Sequence, residues 1–229
     1  MWDMVVGGSA IATGGGGTGP TREQFDAFVD PILSRGVNPT LLDPEELKDD
    51  QTVYMGVGVG GGVRAADRER YLSPGVAGWW RQDIDAIGWI RDQLQQKDYL
   101  YPIGDWANAP GPDWRSVVDQ RMAKLCGHQP EAFLPFEIGP NNFREMLTCA
   151  EDGLPLLDAD VAGYRAVPEI SLSSFNIHDV PAQPALFASA WGDIITVERV
   201  VSWQRLEDIA RHLAVVSGGG LRGLMAFDG

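Results

Sequence analysis

The stretch from Ala132 to Glu169, AFLPFEIGPNNFREMLTCAEDGLPLLDADVAGYRAVPE, constrains this chain more than any other. Ala132 to Phe136 is a short apolar run closed by Glu137 and by the turn residues Gly139 and Pro140, so it reads as a strand. A helix is expected next. Asn141 or Asn142 can cap it, Glu145 is the reciprocal capping-box partner of Asn142, and Phe143, Met146, Leu147 and Ala150 recur at helical spacing up to Gly153. Leu154 to Leu157 reads as a second strand that runs out into Asp158 and Asp160. A strand, helix, strand unit of this length normally closes as a parallel crossover. In open parallel sheets ligands bind beyond the carboxyl ends of the strands, and that is where Glu137, Asn141, Asn142, Asp158 and Asp160 are expected to gather.

With 229 residues and 44% hydrophobic content the chain can bury a full core. Its 32 acidic against 18 basic residues, a formal charge of -14, would repel a phosphate backbone or an anionic membrane, which argues against nucleic acid and membrane partners. No apolar run approaches the roughly 18 residues of a membrane span, and no secretory leader pattern opens the chain. The expected compartment is the cytoplasm. Cys126 and Cys149 lie on separate helix candidates without CxxC spacing and read as reduced thiols.

Around the central unit the chain alternates. Thr13 to Pro20 is too rich in glycine for a regular element, and successive amides at Gly14, Gly15, Gly16 and Gly17 can form an anion-binding nest or a tight packing turn. It is neither a Walker loop nor a dinucleotide fingerprint. Thr21 and Gln24 form a capping box for a helix carrying Phe25, Phe28, Val29 and Ile32, with a kink or break expected at Pro31 and an end at Gly36. Thr40 to Leu42 and Thr52 to Val59 read as strands. Gly56 and Gly58 inside the second mark close approach by a ligand or backbone, or a bulge. Residues 64 to 112 hold Trp79, Trp80, Trp89 and Trp106 among tyrosines and prolines, an aromatic insertion that suits a subunit contact, a lid or a satellite core. Asp113 to Cys126 reads as the helix feeding the central unit. Beyond Glu169, Ile170 to Ile177, Ala185 to Ala190 and Ile194 to Val201 read as strands, and a last helix runs from Ser202 or Trp203 to Gly218. The expected fold class is α/β: a mostly parallel sheet flanked by helices, with residues 1–169 as the core around the insertion and 170–229 as a β-rich extension packed on it.

Three motifs in order, ATGGGGTGPT, LPFEIGPNN and GLPLLDADVAGYRAVPE, resemble the S-methyl thiohydantoin desulfurase-like family over roughly residues 2 to 63 and 113 to 229. A typical member continues into a further C-terminal domain where this chain ends. The resemblance implies an α/β domain, a small-molecule substrate, and hydrolysis of five-membered cyclic amide or thiohydantoin rings. Together with the aromatic insertion it points to a homo-oligomer, or to a hetero-oligomer with a hydantoinase-like subunit. The alternative is a non-catalytic accessory subunit of a hydantoinase, oxoprolinase or carboxylase-like assembly. For ring hydrolysis the roles fall to Glu137 as general base, to Asp158 or Asp160 as second acid or orienting group, and to Gly14 to Gly17, Asn141 and Asn142 as substrate contacts. Arg165 and Glu169 belong to the same motif and can also simply pair with each other. A divalent metal such as zinc has only weak candidates here, His178 with Asp179, because no HxH or HExxH spacing occurs; a cofactor is otherwise unassigned.

Overall fold

The computed structural model describes residues 1–11, 19–62, 114–140, 142–163, 166–189, 193–217 and 219–228. The aromatic insertion, Gly14 to Gly17, Asn141 and Arg165 lie outside the described residues. In chain order the elements are α1 (Trp2–Ile11), α2 (Arg22–Leu33), β1 (Leu41–Leu42), a 3-10 turn (Pro44–Glu46), β2 (Thr52–Gly60), α3 (Trp114–Cys126), β3 (Ala132–Pro135), α4 (Asn142–Glu151), β4 (Leu156–Leu157), α5 (Ser174–Ile177), β5 (Ala185–Ser189), β6 (Ile194–Val197), α6 (Trp203–Val216) and β7 (Gly220–Asp228).

The strands form one seven-stranded sheet in the order β1-β4-β3-β2-β7-β5-β6. The strand, helix, strand unit expected from the sequence is present, with β3 and β4 parallel, and β1 and β2 run the same way as their neighbours β4 and β3. From β2 onward the sheet is antiparallel: β2 with β7, β7 with β5, β5 with β6. The sheet is therefore mixed, and mostly antiparallel by length of pairing, which corrects the expectation of a mostly parallel one. The difference comes from β7. The three glycines from Gly218 read as a helix stop with little after them, yet Gly220 to Asp228 is a full strand paired with β2 along its whole length, from Thr52 opposite Asp228 to Gly60 opposite Gly220. A second correction concerns Ile170 to Ile177. It forms a turn and the short helix α5, started by Ser173, whose hydroxyl accepts from the Asn176 N–H.

Helices cover both faces. Alternate residues of β2 (Val53, Met55, Val57, Val59) pack with Trp203, Leu206, Ala210 and Ala214 of α6 in the largest apolar cluster, while Tyr54 faces Val118 and Met122 of α3. On that same side Leu156 meets Met146 and Cys149 of α4. Phe25, Val29 and Ile32 of α2 with Val5 of α1 then cover Phe143 and Leu147, the outer side of α4. Thr21 makes the capping box the sequence indicates, each partner's side chain bonding the other's backbone N–H. Pro31 lies inside α2 without ending it; the end comes at Ser34, ahead of Gly36 at φ 80°. Both cysteines are free thiols.

Candidate functional site

The parallel half places the carboxyl ends of β1, β4, β3 and β2 along one edge of the sheet. Glu137 follows β3 and is half-buried. Its Oε2 accepts the Val167 N–H at 2.8 Å, so the side chain reaches across to the segment that follows the central unit. Its own carbonyl accepts from Asn142 Nδ2 at 3.1 Å, and Asn142 Oδ1 accepts the Gly139 N–H. Asn142 is the first residue of α4, 7% exposed. Its amide braces the turn from Glu137 to Gly139 on both sides, which fixes where Glu137 can point.

The backbone that follows Asp160 comes to the same place by pairing. The Phe136 carbonyl accepts the N–H groups of Val161 (3.1 Å) and Ala162 (3.0 Å), so the segment leaving β4 lies against the residue preceding Glu137. Asp160 is half-buried there. Asp158 is exposed, and its N–H donates to the Leu42 carbonyl at 2.9 Å. That places its backbone at the end of β4 beside β1, about 10 Å from the end of β2 at the usual strand spacing. Gly8 of α1 and Gly19 pack against the Gly139–Pro140 turn: a Cβ on Gly8 would stand 2.8 Å from the Gly139 carbonyl, and one on Gly19 would stand 3.7 Å from Pro140 Cβ.

Two groups at this edge carry no sequence expectation. Glu207 of α6 is 6% exposed, its Oε2 accepting the Ile170 N–H at 3.0 Å. Its Oε1 takes the Arg211 guanidinium, with Nε at 2.7 Å, and Arg211 donates further to the carbonyls of Pro168 at 2.6 Å and of Gly60. A carboxylate that far from water needs this compensation. The pair joins α6, the end of β2 and the 167–170 segment, and between them lies a cleft of about 150 Å³ lined by Gly58 to Gly60, Val167 to Ile170, Glu207 and Arg211. Val167 thus lines the cleft with one side and holds Glu137 with its N–H. The signal in the sequence was an acid at the spacing of Trp203, Leu206, Ala210 and Ala214, on the apolar stripe of its helix, where an i,i+4 Glu and Arg pair otherwise reads as surface.

The remaining candidates divide between the cleft and the surface beyond it. Glu169 lines the cleft, and its Oε2 accepts from Ser171 Oγ at 3.0 Å. His178 and Asp179 are exposed after α5, Asp179 at φ 56°, where the chain leaves this edge for the opposite one. Among the described residues no three His, Cys, Asp or Glu side chains stand close enough together to hold a metal ion, and none of the helices is long and apolar enough to cross a membrane. Burial pushes the Cys126 thiol up; it lies on α3, on the far face of the sheet from α6.

A mixed α/β sheet with carboxylates beyond its parallel strands defines the class. Residues 111–199 match the family described as S-Me-THD-like, N-terminal domain. The matched segment includes LPFEIGPNN and GLPLLDADVAGYRAVPE, and with them Glu137, Asn142, Asp158, Asp160 and Glu169. No curated protein matches the chain. Among solved structures, a protein from Chromobacterium violaceum determined by X-ray crystallography is similar in fold, with a TM-score of 0.59 at 19% identity, covering 98% of this chain and 52% of that one. The chain spans about half the length of that protein.

Proposed function

We propose that the chain hydrolyses small five-membered cyclic amide or thiohydantoin rings at the carboxyl edge of its parallel strands, with Glu137 as general base. One observation carries this reading. A half-buried carboxylate of the matched segment accepts the backbone N–H of Val167, a residue that also lines a ring-sized cleft. In the reaction the water oxygen bonds to the sp2 ring carbon while its proton passes to Glu137. The C–N or C–S bond then breaks, and that proton leaves with the nitrogen or sulfur. Asp160, whose neighbours Val161 and Ala162 pair with the Phe136 carbonyl, is assigned the relay of that proton. Asp158, whose backbone pairs with β1, is assigned an orienting role.

The test is turnover of a panel of hydantoins, S-alkyl thiohydantoins and lactams by the wild type and Glu137→Gln at matched melting temperature. Loss of a general base lowers the rate by about a hundredfold to ten-thousandfold. A mutant that keeps most of the wild-type rate removes Glu137 from the role. A wild type that turns over rings only when a hydantoinase-like subunit is added favours the accessory-subunit reading instead.

A further inference from the structure

β2 outruns its parallel neighbour. β3 stays in register with it only as far as Pro135 opposite Gly56, whereas β7 follows it to Gly220 opposite Gly60. The Gly61 N–H donates to the Gly219 carbonyl at 3.0 Å, which makes these two a hydrogen-bonded pair of the antiparallel ladder. By two-residue alternation Val59 with Leu221 and Val57 with Gly223 are bonded pairs as well. Gly58 and Gly60 therefore turn their N–H and C=O groups away from β7, toward the side where β3 has ended. Two bonds confirm the direction: the Thr52 carbonyl, of the same parity, accepts the Glu131 N–H on the β3 side at 2.8 Å, and the Gly60 carbonyl accepts Arg211. Gly58 is exposed, and among the described residues no protein group pairs with its N–H or C=O on that side.

This bare peptide borders the cleft. We infer that Gly58 is a docking edge for a small cyclic amide, whose ring N–H and C=O pair with the C=O and N–H of this one residue. The geometry selects the ligand class. An extended residue presents its two groups side by side on one edge. A five-membered lactam or hydantoin is held cis and presents its N–H and C=O side by side too, whereas an open-chain amide is trans and turns them to opposite sides. Size limits the ligand to a small one: about 150 Å³ is the scale of cavity that takes benzene, and it falls below the roughly 300 to 1,000 Å³ of drug-sized pockets. A ring bound here would lie beside Val167 and so next to the group that holds Glu137. The inference rests on the ring-hydrolase reading for what becomes of the ring, and not for its binding.

The experiment follows the Gly58 amide resonance of the ¹⁵N-labelled chain during titration with 2-pyrrolidinone, N-methyl-2-pyrrolidinone and N-methylacetamide. The lactam is expected to shift the Gly58 N–H. The N-methylated ring, which has lost its donor, and the trans amide are expected to bind about tenfold or more weakly, the effect of an unmade hydrogen bond at a desolvated site. Gly58→Pro removes a donor that lies outside the β7 ladder and should abolish the response to the lactam. Gly58→Ala, whose Cβ meets nothing within 4 Å, should keep its affinity. If Gly58→Pro misfolds, the ligand series on the wild type decides. Equal affinity for the N-methylated ring, or a response that leaves Gly58 unmoved, overturns the inference. Binding without turnover supports it while sinking the hydrolase reading. Ring turnover that is unchanged in folded Gly58→Pro overturns it and leaves that reading standing.

Discussion

The two halves of the sheet solve different problems. On the antiparallel side β2, β7 and β5 are paired over long registers, and β5 is buried at all five positions. On the parallel side β1 and β4 are two residues each, and β3 is four. Short strands contribute little ladder, but each delivers a loop to the same edge, and Glu137, Asp160 and the cleft lie among those loops. The difference teaches that the long ladders and the proposed site are carried by different strands. Among the described residues β2 belongs to both, paired with β7 on one side and without a protein partner at Gly58 on the other.

The largest stability loss should come from the antiparallel half. Phe187, fully buried in β5, contributes by its area and by the packing around it, and Phe187→Ala is expected to cost about 3 to 5 kcal/mol in denaturant unfolding. A loss below about 1 kcal/mol would mean that the long ladders are not the anchor. Next comes Gly223→Ala. Its new Cβ would stand 2.5 Å from Val57 Cγ2 and 2.8 Å from Phe187 Cε1, so overpacking should cost about 1 to 3 kcal/mol. A neutral result would show slack between β2 and β5 that the packed sheet does not suggest.

On the parallel side Asn142→Ala removes both braces of the Glu137 turn and should cost about 1 to 2 kcal/mol. It sharpens the contrast if ring affinity or turnover falls further than stability does, since the turn positions Glu137. The smallest effect is one of pH. Burial first, then the nearby Cys126 and Asp119 charges, hold the Tyr54 hydroxyl well above the ordinary tyrosine range. Burial, then Asp228, raises the Cys126 thiol. Both groups keep their protons longer in the folded chain than in the unfolded one, so the native state binds more protons and stability falls as pH rises past the unfolded values of 9.0 for the thiol and 10.0 for the phenol. Below those values neither contributes a slope. Cys126→Ala should flatten the earlier part of that decline, and an unaltered alkaline melting profile would remove the thiol from it.

Local signals in the sequence were read well where a residue's reason is local. The Thr21 capping box, the stop at Gly36 and the crossover from β3 to β4 each follow from spacing within a few residues. β7 was not legible, because Leu221, Gly223, Met225 and Phe227 alternate only weakly and a run of glycines stands in front of them; their strand character comes from β2, far away in sequence. Ile170 to Ile177 failed for the opposite reason. Its apolar residues resembled a strand, but Ser173 and Asn176 favour a helical turn once Glu207 has pinned the Ile170 N–H. Of the site, Glu137 and Asp160 could be anticipated as residues that end strands. Glu207, Arg211 and the bare peptide of Gly58 depend on α6 meeting β2, which no short window contains.

The place of β7 has a consequence for how the molecule is made. It stands between β2 and β5, and a ribosome produces it after both. Until Gly220 to Asp228 emerge, β2 has no neighbour on that side, and β5 can pair only with β6. The nascent chain therefore passes through a stage with two separate sheets and two uncovered edges, which is when a holdase would be most useful and when two nascent copies could trade strands.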